Sequence, residues 1–402
     1  MKRSPLGIIF LTVFLDLVGF GIVLPLLPRF AATHHAAEWQ IGLLMATYSL
    51  MQFFFSPVWG RLSDRIGRRP VLLISIAGSA LSYTLFALAP SLLMLFVARA
   101  VAGIMAANIS TAQAYVADVT TPENRAKGMG MVGAAFGLGF ILGPALAGFL
   151  SHWANGRGLN PQLVVGLAAA GFSLLDLLFA AARLPESFTP EMRAQAKAAP
   201  GTRLGRMGAA LRQPAIGVPI VIFFISTVAW SQLEPTLARL IQGAPFEFNA
   251  AQTGYLFAYV GIISALIQGG FAGRMARKSG EARLIVMGTF FLALGLVLIP
   301  VAQTTPALYG VLGLLALGQA MNLPCLQSLI SRSTAADRQG STLGVTQGFS
   351  SLARALGPAV GGALFGVRHP YPFWFGAVLM VLAFVLAGRL PRIPRPGTQI
   401  DN

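Results

Sequence analysis

Asp16, Asp176 and Glu234 each interrupt a long apolar run, and Arg99 and Arg354 interrupt two others. A carboxyl group in such surroundings is suited to one reversible reaction, gain and loss of a proton, because the neutral acid is far less costly to bury than the carboxylate. Asp16 and Glu234 are the candidates for that exchange. The competing use is a fixed ion pair in which an acid neutralises Arg99 or Arg354. The four histidines, His34, His35, His152 and His369, all fall outside the apolar runs. A proton carrier within them is therefore a carboxyl group. Cys325 is the one cysteine, which excludes an intrachain disulfide and a thiolate metal cluster. No metal site and no cofactor beyond protons is expected. The chain has no GxxxxGK[ST] phosphate loop and no cluster of histidines or acids of the kind a bilayer enzyme uses, so it is read as no enzyme.

The elements that hold these groups follow from composition. Of 402 residues, 55% are hydrophobic and 10% are charged, against about 25% charged in an average soluble domain. Crossing a bilayer takes about 20 apolar residues in helical form. Twelve such stretches occur, at 6–28, 40–60, 70–89, 91–116, 128–150, 162–183, 215–240, 251–273, 282–301, 306–330, 341–366 and 371–389. Their uniform length favours helices over barrel strands of about 10 residues. The first is longer than a signal-peptide core of 7–15 residues and contains Asp16, so it reads as a span. With both termini placed in the cytoplasm, all but six of the 29 basic residues lie at cytoplasmic ends. That bias is the positive-inside pattern, and it accounts for the net charge of +16 without a nucleic-acid partner. The fold class is thus all-α and integral to the membrane: a first bundle at 1–183, a cytoplasmic linker at 184–214, a second bundle at 215–390 and a cytoplasmic tail at 391–402. The partners expected are the lipid bilayer and a small amphipathic substrate, and the chain is expected to be a monomer.

The halves repeat. GPALAG begins at Gly143 and GPAVGG at Gly357; GRLSDRIGRR begins at Gly60 and a degraded copy, GRMARKSGE, at Gly273; Gly103 with Asn108 recurs as Gly318 with Asn322. The spacings agree to within a residue or two. Two bundles of six spans in the same orientation are related by an axis along the membrane normal, and such proteins place their substrate site near the midplane.

These motifs resemble the major facilitator superfamily over nearly the whole chain, and within it the twelve-span drug:proton antiporters. GRLSDRIGRRP matches the signature between spans 2 and 3, Arg99-x-x-x-Gly103 the span-4 arginine motif, and GxxxGxGxxxGPxxxG from Gly133 to Gly148 the span-5 motif associated with antiport. LDLVGFGIVLPLLP and GAAFGLGFILGP are similar to the tetracycline-efflux branch. The chain departs from those exporters at Ser82, Ser264 and Leu292, where they carry an acid, a histidine and an acid, which argues against tetracycline itself as substrate.

The resemblance implies roles for the motif residues. Gly60, Asp64, Arg65, Gly67, Arg68 and Arg69 form a charged turn in which Asp64 and Arg68 link the cytoplasmic ends of the bundles, with Asp118 as partner to the arginine. The alternative is solvated topology charge, worth about 0–1 kcal/mol per pair. Gly139, Gly143, Pro144, Gly357 and Pro358 would form seams that open and close, or pack as small residues commonly do in membranes. Spans 1 and 7 are cavity-lining, which favours Asp16 and Glu234 as proton carriers; span 6 is peripheral, so Asp176 is assigned a structural role. Tyr48, Gln52, Asn108, Gln113, Gln319 and Asn322 are candidate polar contacts to substrate, and Phe136, Phe140 and Trp230 candidate apolar walls. The expected function is proton-coupled export of amphipathic drug-like compounds by alternating access, from the inner membrane. The alternatives are proton-coupled transport of a sugar, amino acid or lipid, and, further off, a membrane receptor or enzyme.

Overall fold

A computed structural model describes residues 5–106, 108–120, 122–188, 212–268, 272–333 and 339–390, with the side chains of 108–110, 122–130, 133, 214, 215, 272, 273, 277, 339–341, 343 and 344 excepted. Most of the linker, the tail and the side chain of Asn108 therefore lie outside the described residues. Helices occupy the described part of all twelve apolar stretches, and the described residues contain no strand. They are α1 (Pro5–Val23), continued through a 3₁₀ turn at Leu24–Leu26 into α2 (Leu27–Thr33); α3 (Glu38–Ile66); α4 (Arg68–Ala87); α5 (Leu92–Met105); α6 (Asn108–Val119); α7 (Pro122–Gly156); α8 (Pro161–Arg183); α9 (Pro214–Leu240); α10 (Ala250–Leu266); α11 (Ala272–Ser279); α12 (Glu281–Leu298); α13 (Thr305–Arg332); α14 (Gln339–Val367); and α15 (Tyr371–Ala387). Among the described residues, 8 helical segments are long and apolar enough to cross a membrane, and α5, α10 and α15 are shorter apolar helices.

Two local departures from one plain helix per span have sequence causes. Pro25 and Pro28 lack the amide hydrogens an uninterrupted helix needs, and the first span tightens there into its 3₁₀ turn. The fourth span divides between α5 and α6, which leaves carbonyls near its middle without helical donors. Neighbouring side chains supply them. Gln52 Nε2 donates to Ala106 O (3.4 Å), Trp59 Nε1 to Ile104 O (2.5 Å), and Ser75 Oγ to Met105 O. Apolar surroundings tolerate broken backbone only where protein groups re-satisfy it.

The described residues cluster into two compact units, one drawn from 1–199 with 237–261 and the other from 200–236 with 262–402. In the first, α1 packs against α7 and α8, and α4 against α8 and α5. Glycine permits the closest approaches. A Cβ at Gly143 would lie 2.5 Å from Gly21 Cα, and one at Gly166 would lie 2.6 Å from Ala87 Cβ. The second unit repeats the arrangement: Gly357 of α14 abuts Val228 and Ser231 of α9, and Gly376 of α15 faces Leu296 of α12. The internal repeat in the sequence thus has a counterpart in which residues touch.

Candidate functional site

The charged signature is helical rather than a loop. Asp64 and Arg65 occupy the last turn of α3, and Arg68 and Arg69 the first turn of α4. Gly67 joins the two helices at φ 108°, a backbone region that costs side-chain-bearing residues strain. Because the helices end back to back on this glycine, Arg68 turns inward, with only 10% of its side chain exposed. Its Nη1 donates to Asp64 Oδ1 and to Ser63 Oγ, each at 2.6 Å, and its Nε to Asp118 Oδ2 at 3.2 Å. Asp64, Arg68 and Asp118 therefore meet. Arg65 is exposed, and Gly60 has open space around it.

The sequence reading placed nothing of the linker in this network, yet Glu186, Ser187 and Phe188 belong to it. Glu186 accepts from the amides of Arg68 (2.9 Å) and Arg69 (3.2 Å), the unpaired donors that open α4. A carboxylate there also meets the positive end of the helix dipole. Ser187 Oγ donates to Asp118 Oδ2 at 3.0 Å, and the Phe188 ring lies 4.5 Å from the Arg68 guanidinium. Arg69 Nη2 reaches Ala181 O at 2.7 Å. The available signal was an acid three residues beyond Arg183, following a proline.

Deeper in the first unit, Asp16 is 7% exposed, and Ser79 Oγ stands 3.4 Å from its Oδ1. Arg99 is also buried, with its guanidinium 4.7 Å from the Tyr48 ring centroid and 5.9 Å from that of Phe20. Phe20 contacts Tyr48 and Phe140, and Phe140 stacks on Phe136. Tyr48, Phe136, Phe140 and Arg99 thus form one aromatic–cationic group, while Gln113 is exposed on α6 and Gln52 is engaged with Ala106 O. Glycines 139 and 143 carry α7 along α1: a Cβ at Gly139 would meet Leu17 at 2.6 Å. Pro144 O approaches Gly254, where a Cβ would lie 2.5 Å away.

At the end of the first unit away from the charged signature, Glu38 accepts from Arg239 Nε at 3.1 Å and from Nη2 at 2.6 Å. Arg29 donates to Phe248 O. Neither pairing was read from the sequence, because residues some 200 positions apart carry no mutual signal.

In the second unit, Trp230 lines a small recess with Ser226, Ala229, Leu233, Leu292, Leu296, Leu315 and Met380. Asn322 is fully buried and donates to Ser226 Oγ at 2.9 Å; Gln319 is buried nearby on the same helix. Glu234 is half-buried in α9 immediately before Pro235, and Arg354 donates to Ser350 Oγ and Ser351 Oγ on its own helix. Pro358 is buried one residue past Gly357. No group of three or more metal-ligating side chains occurs among the described residues.

The helix pairing, the broken fourth span and the buried charge belong to a transporter architecture, and comparison with known proteins agrees. Residues 9–277 and 245–401 match the Major Facilitator Superfamily, and the chain belongs to that family. It is 34% identical to the class E tetracycline resistance protein of Escherichia coli, over 93% of this chain and 92% of that one. It is 31% identical to major facilitator superfamily domain-containing protein 10 of Bos taurus, over 94% and 91% of the two chains. The crystal structure of the human organic anion transporter MFSD10 (TETRAN) superposes with a TM-score of 0.74 at 29% identity, covering 96% of this chain and 99% of that one. The chain is accordingly a multi-pass membrane transporter and not an enzyme.

Proposed function

We propose that this transporter exports amphipathic, drug-like compounds in exchange for protons, by alternating access. The observation that carries the reading is Asp16: a carboxyl group 7% exposed in the middle of an apolar helix, with a serine hydroxyl beside it. Acids in such positions are costly to insert, at about 2.5–3.5 kcal/mol, and are functional by default. Inward movement of each proton supplies about 2.3 kcal/mol per 100 mV. The tetracycline resistance relatives support drug export as the direction. In this reading the termini and the Arg68 network are cytoplasmic, the membrane is the inner membrane and the protein acts as a monomer. Asp16 and Glu234 carry protons, Arg99 and Arg354 modulate them, and the Tyr48, Phe136, Phe140 and Trp230 rings offer apolar walls to the substrate.

A second reading rests on Arg99. A buried guanidinium over an aromatic face suits an anionic substrate, and the human relative of known structure is an organic anion transporter. Purified protein in liposomes, given an imposed proton gradient and a panel of cationic dyes, tetracyclines and organic anions, separates the two. Gradient-driven movement of cationic or neutral amphiphiles supports the first reading. Movement of anions alone replaces it with the second. Uptake of every compound unaffected by collapsing the gradient refutes proton coupling.

A further inference from the structure

We propose that Glu281, Ser328 and Arg332 form an ion-pair clamp in the second unit, the counterpart of the Arg68 network with its charges exchanged, and that this clamp positions α12 against α13. GRMARKSGE reads as a degraded copy of GRLSDRIGRR, yet the same helical joint is built from it. The inference does not depend on proton coupling or on the substrate.

The joints match part by part. Gly280 links α11 to α12 at φ 84°, as Gly67 links α3 to α4 at φ 108°. In each, the glycine amide closes the helix before it: Gly280 N donates to Ala276 O at 2.9 Å, and Gly67 N to Ser63 O at 3.1 Å. The next residue opens the following helix, Glu281 in α12 where α4 has Arg68. The partner of that residue stands at the far end of another helix. Arg332 is the last residue of α13, and Asp118 the last but one of α6. Arg332 Nη1 donates to Glu281 Oε2 at 2.8 Å, and Ser328 Oγ donates to Glu281 Oε1 at 2.6 Å. The sequence offsets from Arg68 to Glu281 and from Asp118 to Arg332 agree to within one residue.

Exchange of sign changes what each network needs. A helix favours negative charge at its first turn and positive charge at its last. Arg68 and Asp118 both stand at disfavoured ends, and the first network is completed from outside the pair: Asp64 and Ser63 accept from Arg68, and Glu186 brings a carboxylate to the α4 amides. Glu281 and Arg332 each stand at the favoured end. The carboxylate that α4 takes from the linker is part of α12 itself, so the clamp is built within two helices. The side chains of Glu281 and Arg332 are 11% and 36% exposed, and a pair so near solvent adds little stability by itself. Its use is positional. Two turns along α12 from Glu281, a Cβ at Gly288 would lie 2.7 Å from Gly318 O, and one at Gly318 would lie 2.8 Å from Gly288 O. Such small-residue contacts hold helices close by dispersion, which has no preferred register. The hydrogen-bonded ion pair supplies direction at the end of that seam.

Cys325 makes the clamp observable. It is the one cysteine of the chain and is 3% exposed, and its spacing from Ser328 and Arg332 places the three on one face of α13. The test is the rate at which N-ethylmaleimide labels Cys325 in the full-length protein in liposomes, at fixed pH and with no substrate needed. Glu281→Gln and Arg332→Gln are each expected to label about fivefold faster than wild type, the factor that loss of a partly exposed pair allows, with melting temperatures near the wild-type value. The double variant Glu281→Arg with Arg332→Glu rebuilds the pair in the orientation of Arg68 and Asp118 and is expected to label close to the wild-type rate. Raising the salt concentration screens the pair and is expected to speed labelling of the wild type but not of Glu281→Gln. Labelling of the amide variants at the wild-type rate, a double variant that labels as fast as they do, or a wild-type rate indifferent to salt overturns the proposal. Faster labelling accompanied by loss of the cooperative melting transition also overturns it, in favour of general destabilisation.

Discussion

The Arg68 network makes a quantitative test of what burial does to an ion pair. Two carboxylates touch the same guanidinium, Asp64 at 2.6 Å with half its side chain exposed and Asp118 at 3.2 Å with 10% exposed. Distance alone ranks Asp64 first. Burial ranks Asp118 first, because an exposed pair is worth about 0–1 kcal/mol, whereas removing one partner of a buried pair costs about 3–5 kcal/mol. Asp118 also accepts from Ser187 Oγ, so its truncation strands two donors. Asp118→Ala is therefore expected to destabilise by about 3 kcal/mol and Asp64→Ala by less than about 1 kcal/mol. Asp118→Asn keeps an acceptor oxygen but loses the charge, and should fall near 1.5 kcal/mol, the scale of one charged hydrogen bond. Thermal unfolding in detergent, followed by the tryptophans of the first unit (Trp39, Trp59 and Trp153), reads the order directly. The order Asp118→Ala, Asp118→Asn, Asp64→Ala in decreasing loss is expected. Equal losses at Asp64 and Asp118, or a larger one at Asp64, would refute burial as the deciding factor.

The remaining predictions concern transport and packing. Asp64→Asn is expected to slow transport in membrane vesicles well beyond its small stability cost, if the network is a latch that forms and breaks in each cycle; wild-type transport in that variant refutes the latch. Gly143→Ala drives a Cβ onto the Gly21 backbone at 2.5 Å and should cost about 1–3 kcal/mol by overpacking. Gly137→Ala, with nothing within 4 Å, should be neutral or stabilising by up to about 1 kcal/mol through helix propensity; the melting temperatures should move in opposite directions. Glu38 and Arg239 are 21% and 24% exposed in their side chains, so a double-mutant cycle with Glu38→Gln and Arg239→Gln is expected to give a coupling of about 1 kcal/mol, and additive melting shifts would contradict the pairing.

Much of the fold was legible because lipid is an unforgiving solvent: only unbroken apolar length crosses it, and length is visible in sequence. The helices accordingly sit where the apolar stretches lie. The meeting of Asp64, Arg68 and Asp118 was legible through family resemblance, since spacing alone leaves the span-4 aspartate unconnected to the span-2 turn. Glu186 was not legible, because a carboxylate capping a helix at a sequence separation of 118 looks like any acid in a polar linker. Asp176 was visible as an intramembrane acid but was assigned a structural role from the peripheral place of span 6. On that helix Ala169 and Ser173 turn toward Gly19 of α1, and Asp176 is fully buried. Gln52, a candidate substrate contact by its polarity, also donates to Ala106 O, one of the free carbonyls that the divided span 4 leaves.

The repeated GP dipeptide shows how alike sequences can build unlike seams. In the first unit Gly143 meets bare backbone, Gly21 and Ile22 N, and the one side chain beside that point is the apolar Pro144 ring, 3.4 Å from where a Gly21 Cβ would lie. In the second unit Gly357 meets Ser231 and Gln232 of α9. Ser231 Oγ is hydrogen-bonded to Ala353 O at 3.2 Å, and Gln232 Nε2 to Pro372 O at 2.8 Å. The α1–α7 contact at the glycines is thus dispersion alone, which changes little as two smooth surfaces slide. The α9–α14 and α9–α15 contacts are pinned by directional bonds that must break for the helices to move. Pseudo-symmetry of sequence therefore does not make the two seams chemically alike: one is closed by glycine backbone and a proline ring, the other by hydrogen-bonded serine and glutamine.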